Sequence, residues 1–415
     1  MKKKQPPPWN YNVVYLGRQP FFDPQLQPQG HELLYRSQEH SQEAIFLDGE
    51  DATLSVIHGS YGSPFLETRG EHLLMVNFTL QAILNRAPFA LPPYRTVIKI
   101  SGTPDKTPEK TKVLDELRHQ GYQVALDHEL STCLDWQDHI DICIGQAQVL
   151  GQEGQDLLQK AQEHGLRVMA KQVEEQETFQ ALKQAGVDLF QGFFFQKPEV
   201  LRGVEISTHH ALRLKILRIL QQQEPDLDQL ADLLEKEVSL AYRILKFVNS
   251  AYFSTRVEIT SLRHALAYVG LNQLRTLLEI FLLRSMTPES KPSELPFLSV
   301  HRGRFLEILG QDHPDFSSRR EALFLLGLFS LLDAIFDTSM DQVLENLPLD
   351  AEIERALLRE ESRYLPWLEL AIAFEEASWD QVDDLVDRLG LSPPDVAMAY
   401  SQALAWTREL FEYWI

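Results

Sequence analysis

The length, composition and charge of the chain exclude several classes of protein. It has 415 residues, of which 44% are hydrophobic and 24% charged. This composition is typical of a globular protein, and the length predicts two or three domains that each bury a core. The 39 basic and 60 acidic residues give a net charge of −21, which disfavours binding to nucleic acid because like charges repel. Most of the acidic excess lies after residue 320, where a solvated surface is the simplest interpretation.

The cysteines and the amino-terminal segment favour a location inside the cell. Cys133 and Cys143 have no CxxC or Cys/His spacing, which argues against a disulfide framework or a structural zinc site. Residues 1–10 contain lysines and a proline run without a following apolar stretch, so we predict a disordered tail rather than a signal peptide. Because no apolar run reaches the roughly 20 residues that span a bilayer, we expect a cytoplasmic protein without a membrane span.

From residue 11 to about residue 200, short β-rich segments alternate with amphipathic ones. The predicted strands are 13–16, 31–35, 73–77, 97–100, 124–127, 141–144, 167–170 and 189–193. Predicted helices at 111–120, 154–164 and 175–185 meet Gly121, Gly165 and Gly186, the residue type that helix C-caps favour. Repeated β–α units predict a parallel sheet, either closed as a barrel or open.

After residue 198 the pattern becomes helical. Apolar residues recur at helical spacing, for example in 240–248, 271–283 and 322–336, and no strong strand signal returns. Pro288, Pro292 and Pro296 predict a loop that divides this region. We therefore predict an α/β domain over residues 11–200, followed by an all-helical domain over residues 201–415 with acidic C-terminal helices.

Polar residues stand at or near the ends of several predicted strands. In a parallel barrel the chemistry lies at the carboxyl ends of the strands. Oxygen-bearing side chains on successive strands suit Mg²⁺ or Mn²⁺, although polar residues at strand ends are common in any case. The residues concerned are Glu32, Arg36, Asn77, Asp127 and Gln191.

Four motifs in the first domain resemble those of a known family. The segment 30–36, GHELLYR, fits an ExLxR pattern, and 188–198, DLFQGFFFQKP, fits a closing QG…KP motif. Segments 76–79 and 124–127 match an asparagine-containing strand and an aspartate-containing strand. Over residues 11–200 the chain resembles EAL domains, cyclic di-GMP phosphodiesterases with a modified (β/α)8 barrel. The resemblance therefore implies a (β/α)8-type fold for the first domain.

This resemblance implies a site with two divalent metal ions. It makes Glu32, Asn77 and Asp127 potential metal ligands and Arg36 a potential phosphate contact, while Glu174 and Gln191 match later motif positions. Other family positions are changed here: Gly102 (or Ser101) replaces a glutamate, and His128, Cys143, Gly145 and Lys171 replace further charged residues. The three remaining oxygen donors, with Lys171 nearby, would hold at most one weakly bound ion. We therefore predict a degenerate site with no metal, no cofactor and no catalytic residue.

The helical region resembles a second family. Residues 232–253, which end in Asn-Ser-Ala-Tyr-Phe, and the segment 259–270 resemble HDOD domains. These domains are similar to HD phosphohydrolases that have lost their metal ligands. The corresponding positions here are Phe329 and Ser330, so the resemblance implies that the His-Asp metal dyad is absent.

These observations lead to a functional hypothesis. We predict that the chain is not an enzyme but a bacterial signal-transduction adaptor that acts through protein–protein contacts. The alternatives are a cyclic di-GMP receptor without hydrolysis and, least favoured, a residual cyclic di-GMP phosphodiesterase. The expected partners are signalling proteins of unknown identity, with cyclic di-GMP and a second copy of the chain as further candidates.

Overall fold

Eight strands form a closed barrel in a computed structural model of the chain. The structure describes residues 14–37, 72–101, 105–153, 155–197, 270–288, 290–345 and 349–412, together with residue 347 and short stretches between 213 and 268. The strands follow one another around the barrel in sequence order, which confirms the predicted barrel. They are β1 (Val14–Phe22), β2 (Pro28–Ser37), β3 (Leu73–Phe78), β4 (Thr96–Ser101), β5 (Gln123–Asp127), β6 (Ile142–Gln146), β7 (Arg167–Lys171) and β8 (Leu189–Gln191).

The strands from β2 to β6 pair in parallel. β3 to β6 each contain a short, mostly apolar run, because helices cover the outer face of such a sheet while side chains fill the interior. The helices of this part are α1 (Leu80–Leu84), α2 (Pro108–His119), α3 (Leu130–Asp135), α4 (Ala147–Glu153), α5 (Gln155–Glu163) and α6 (Gln176–Gln184). Gly121, Gly165 and Gly186 all have positive φ, which confirms them as helix C-caps.

After residue 197 the described part of the chain is helical. Its helices are α7 (Leu227–Glu235), α8 (Leu271–Met286), α9 (Glu294–Gln311), α10 (Arg320–Phe329), α11 (Leu332–Phe336), α12 (Met340–Leu344), α13 (Ala351–Leu357), α14 (Leu365–Glu375), α15 (Trp379–Arg388) and α16 (Pro393–Glu412). Pro296 lies in the first turn of α9, so the predicted proline loop ends earlier than expected. A proline is tolerated there because the first amide groups of a helix have no intrahelical acceptor. Among the described helices, none is long and apolar enough to cross a membrane.

The chain divides into two compact units that are not simple halves of the sequence. The first comprises Met1–Phe21, Gln29–Ala170 and Ala373–Ser401, and the second comprises Phe22–Pro28, Lys171–Ile372 and Gln402–Ile415. Within the first unit, the ring of Tyr15 in β1 stacks on Trp379 with centroids 5.7 Å apart. Phe374 meets Tyr15 and Trp379 edge-on, at 5.5 and 5.3 Å. The C-terminal segment 373–401 therefore packs against the first strand, while the domain boundary near residue 200 stays a prediction.

The two cysteines form a disulfide, contrary to the interpretation of their spacing. Cys133 lies in α3 and Cys143 in β6, with Cα atoms 5.8 Å apart and both side chains buried. Spacing motifs report metal sites and redox motifs, but they do not report a helix that packs across a neighbouring strand. The pairing is therefore decided by tertiary structure.

Candidate functional site

Four polar side chains meet inside the barrel and form what we call the lysine cluster: Glu32, Asn77, Lys99 and Asp127. Lys99 Nζ donates a hydrogen bond to Glu32 Oε1 at 2.7 Å and lies 3.2 Å from Asp127 Oδ2. Asn77 Nδ2 donates to the same Glu32 oxygen, also at 2.7 Å. Because β2 and β4 are not neighbours in the barrel, the bond between Glu32 and Lys99 must cross the interior.

Strand register brings three of these side chains, those of Asn77, Lys99 and Asp127, close together. Asn77 pairs with Lys99 between β3 and β4, and Asp127 pairs with Ser101 between β4 and β5. Side chains alternate along a strand, so Lys99 and Ser101 belong to the same face of β4. Asn77 is the penultimate residue of β3 and Asp127 the last of β5. Asn77 and Asp127 therefore lie at the carboxyl ends of their strands, where barrels of this kind carry their chemistry, whereas Glu32 lies in the middle of β2.

The cluster is buried and carries unequal charge. Glu32 is 3% exposed and Lys99 is 7% exposed. Burial by itself lowers the pKa of Lys99, but attraction by the carboxylates of Glu32 and Asp127, with their hydrogen bonds, outweighs burial and raises it. Lys99 is therefore an ammonium ion at any physiological pH. With one ammonium and two carboxylates, the lysine cluster has a net negative charge.

Lys99 was not among the residues predicted from the sequence. The structure brings together the predicted Glu32, Asn77 and Asp127, but it places an unpredicted cation between the two carboxylates. A signal was present in β4, where Lys99 is the only charged residue and lies between the buried Ile98 and Ile100. A lysine within a strand that is buried on both faces needs an acidic partner.

The other motif positions lie on or just after the last two strands, or outside the described residues. Gln191 is a buried residue of β8, and its backbone oxygen accepts a hydrogen bond from Val173 N at 3.0 Å. Lys171 ends β7 and is half-buried, whereas Glu174, three residues later, is exposed. The side chain of Arg36 and the whole of Gly102 lie outside the described residues.

Three of the positions that differ from the EAL pattern are constrained by their local surroundings. His128 follows Asp127, and its Nδ1 accepts a hydrogen bond from Glu129 N at 2.9 Å. Cys143 is held in the disulfide. At Gly145 a Cβ atom would lie 2.9 Å from Leu150 Cδ2, so a larger side chain requires Leu150 to move.

In the second unit, the two positions matched to the His-Asp dyad are a buried phenylalanine and a serine that binds a buried arginine. Phe329 is 1% exposed within the core. Ser330 Oγ donates to Gly327 O at 2.7 Å and accepts from Arg302 Nη1 at 3.0 Å. Arg302 is 2% exposed, and its Nη2 donates to Gln196 Oε1 at 2.8 Å. A guanidinium therefore binds the serine that stands at the aspartate position of the dyad.

The lysine cluster, as arranged, does not fit the divalent ions that the EAL resemblance implies. Mg²⁺ needs oxygen ligands at about 2.0–2.1 Å around one point. The space between Glu32 and Asp127 is instead taken by Lys99 Nζ, and Asn77 presents its amide nitrogen to Glu32. Among the residues that the structure describes, no group of three or more His, Cys, Asp or Glu side chains could hold a metal ion.

Comparison with known proteins identifies the family. A model of the EAL domain matches residues 154–198, and a model of the HDOD domain matches residues 206–302. The chain is also 30% identical to the cyclic di-GMP phosphodiesterase CdgJ of Vibrio cholerae, over 99% of this chain and 96% of that protein. The chain belongs to the EAL–HDOD family. The uncharacterized protein YuxH of Bacillus subtilis is similar along its whole length, with 28% identity over 96% of this chain and 99% of that protein.

Several solved EAL structures are similar to part of this EAL–HDOD chain. An EAL domain protein of Listeria monocytogenes is 17% identical, with a TM-score of 0.36 over 44% of this chain and 87% of that one. BlrP1 of Klebsiella pneumoniae, solved with manganese and cyclic di-GMP, is 20% identical, with a TM-score of 0.37 over 46% of this chain and 57% of that one.

The prediction of a non-catalytic adaptor, and with it the prediction that the chain is not an enzyme, is wrong. CdgJ, a member of the EAL–HDOD family that matches nearly the whole chain, carries the name of a phosphodiesterase. The prediction counted missing metal ligands and equated their number with loss of activity. That count left out Lys99, a positive charge that the tertiary structure puts between the two retained carboxylates.

Proposed function

We propose that this member of the EAL–HDOD family is a cyclic di-GMP phosphodiesterase. The observation that carries the proposal is the lysine cluster, which gathers two carboxylates, a carboxamide and an ammonium inside the barrel. The similarity to CdgJ over 99% of the chain supports the choice of substrate. As part of the same proposal we place the protein in the cytoplasm.

The cluster offers the two kinds of group that hydrolysis of a phosphodiester requires. A carboxylate can accept the proton of the attacking water, and a fixed positive charge can stabilise the negative charge that develops on the phosphate oxygens. Asp127 is the more accessible carboxylate, since its side chain is 15% exposed against 3% for Glu32. Water adds to phosphorus, the bond from phosphorus to one ribose oxygen breaks, and that oxygen takes up a proton. The product is a linear dinucleotide with a terminal phosphate.

The test is a cleavage assay with a matched pair of variants. Purified full-length protein is incubated with cyclic di-GMP, and the linear dinucleotide is measured by chromatography. We expect Asp127→Asn to lower the rate about 100-fold or more, the usual contribution of a general base. Asp138→Asn makes the same chemical change on an exposed turn residue and should leave the rate unchanged.

Two results would count against the proposal. One is no product from the wild-type protein, and the other is an equal rate in the wild-type protein and Asp127→Asn, which would show that the lysine cluster does not carry out the cleavage. Self-association and binding to other signalling proteins are separate predictions. Light scattering of the purified protein in solution measures the first of them.

A further inference from the structure

The lysine cluster contains its own cation. Lys99 Nζ lies 2.7 Å from Glu32 and 3.2 Å from Asp127, which are hydrogen-bonding distances to carboxylates on two different strands. Glu32 accepts a second hydrogen bond, from Asn77, at the same oxygen. A carboxylate surrounded in this way has its charge compensated from within the chain.

Burial makes this arrangement difficult to exchange for a divalent ion. Lys99 and Glu32 are both almost inaccessible to water. To admit an ion, the ammonium would have to leave its two carboxylates, and Asn77 would have to turn its amide oxygen towards the ion. An ammonium that stayed nearby would repel the ion, and one without a partner would be costly to bury.

We infer that Lys99 is the resident cation of the cluster and keeps divalent ions out of the space between Glu32 and Asp127. The lysine is tethered to β4, so its charge is present at a fixed place whatever the concentration of metal ions. Removal of the ammonium, with a side chain of similar length in its place, leaves two carboxylates that face one another. Such a pair attracts a divalent cation.

Manganese binding tests this inference without any nucleotide, so the result does not depend on the proposed phosphodiesterase activity. Chelator-stripped full-length protein is titrated with Mn²⁺, and the free ion is measured by electron paramagnetic resonance. The wild-type protein and Asp127→Asn should bind the same number of ions. Lys99→Met should bind one more, and Lys99→Met/Asp127→Asn should lose that additional site.

A second measurement records the thermal stability of the variants rather than the number of bound ions. Lys99→Met removes the positive charge between the two carboxylates, so we expect a lower thermal midpoint than that of the wild-type protein. Mn²⁺ should raise the midpoint of this variant more than that of the wild-type protein, since a ligand that binds only the folded state stabilises it. Lys99→Met/Asp127→Asn is the control, in which the additional rise should disappear.

Either of two outcomes would overturn the inference. The first is a saturable Mn²⁺ site in the wild-type protein that Asp127→Asn removes, because an ion would then bind beside Lys99. The second is a folded Lys99→Met that gains no site. If Lys99→Met does not fold, the comparison between the wild-type protein and Asp127→Asn still decides. If the wild-type protein does not cleave cyclic di-GMP but the numbers of bound Mn²⁺ ions are as expected, only the proposed function is contradicted.

Discussion

Buried cations with polar partners occur in both compact units. Lys99 is an ammonium held by two carboxylates, whereas Arg302 uses the two ends of its guanidinium to reach Ser330 and Gln196. The guanidinium is planar and carries several donors, so it can satisfy partners on different segments at once. Each cation contacts a residue at a position that a resemblance to a metallohydrolase matches to a metal ligand. In both units, therefore, a buried positively charged side chain is held in place by polar partners.

Asp333 provides a test of burial at the same scale. Burial raises the pKa of its carboxyl, although the hydrogen bond from Ala334 N and attraction by Arg359 and Arg302 act in the opposite direction. The folded state therefore binds this proton more tightly than the unfolded state, and the ionised carboxylate lowers stability above the folded pKa. This cost is relieved as the pH falls through the folded pKa.

We expect Asp333→Asn to be more stable than the wild-type protein at pH 7. Asparagine keeps an oxygen that can accept from Ala334 N but has no charge to bury. The advantage should shrink as the pH falls towards the ordinary aspartate pKa, because the wild-type carboxyl is then neutral as well. Thermal midpoints of both proteins at pH 7 and pH 4 measure it. A variant that is less stable at both values would show that attraction by the arginines outweighs burial.

Two helices of the second unit approach at glycines. α9 and α10 cross at Gly303 and Gly327, where a Cβ on Gly327 would lie 2.3 Å from Gly303 N and 2.5 Å from Arg302 C. A Cβ on Gly303 would lie 2.6 Å from Phe324 O. These are contacts with backbone atoms, which cannot move without the helix. The close crossing also brings Arg302 on α9 to Ser330 at the end of α10.

We expect Gly327→Ala to lower the free energy of unfolding by about 2–3 kcal/mol, at the upper end of the usual cost of overpacking. Thermal or urea unfolding of the full-length protein measures it. Gly151→Ala in α4 is the control, since a Cβ there meets nothing within 4 Å and alanine favours a helix. Equal stability of Gly327→Ala and the wild-type protein would mean that the helices separate easily.

At the scale of the whole molecule, the compact units interleave along the chain. Residues 373–401 cluster with the barrel strands although they follow most of the helical region in sequence. The contact is aromatic, with Tyr15 of β1 stacked on Trp379 and both rings against Phe374. Gly17 in the same strand permits this packing, because a Cβ there would lie 3.3 Å from the Trp379 ring. Residues 373–401, a part of the acidic C-terminal quarter, are therefore a structural part of the first unit.

We expect Trp379→Ala to destabilise the first unit by about 2 kcal/mol, the value of one large apolar side chain removed from a partly buried site. The readout is the thermal midpoint of the full-length protein. Tyr94→Ala removes a ring that is 77% exposed and should leave the midpoint unchanged. An unchanged midpoint in Trp379→Ala would mean that the segment 373–401 adds no stability to the barrel.

Local patterns in the sequence were sufficient for the elements and the family. Each predicted strand and each C-cap glycine depends on neighbours a few residues away, and the structure confirms them. The EAL and HDOD motifs are also local, and the family comparisons confirm both. Asn77 and Asp127 could be chosen in advance because strand ends in a parallel barrel share one rim, and Glu32, in the middle of β2, because it belongs to the ExLxR pattern.

The functional hypothesis failed where distant residues decide the chemistry. Lys99 is 67 positions from Glu32, and the two cysteines and the Tyr15–Trp379 stack likewise join separate elements. Periodicity shows which face of a strand is buried, but it does not show which charge that face meets. By itself the sequence determined a barrel, a helical region and a family. Only the tertiary structure placed a lysine between two carboxylates, because barrel closure brings together side chains from strands that are not neighbours.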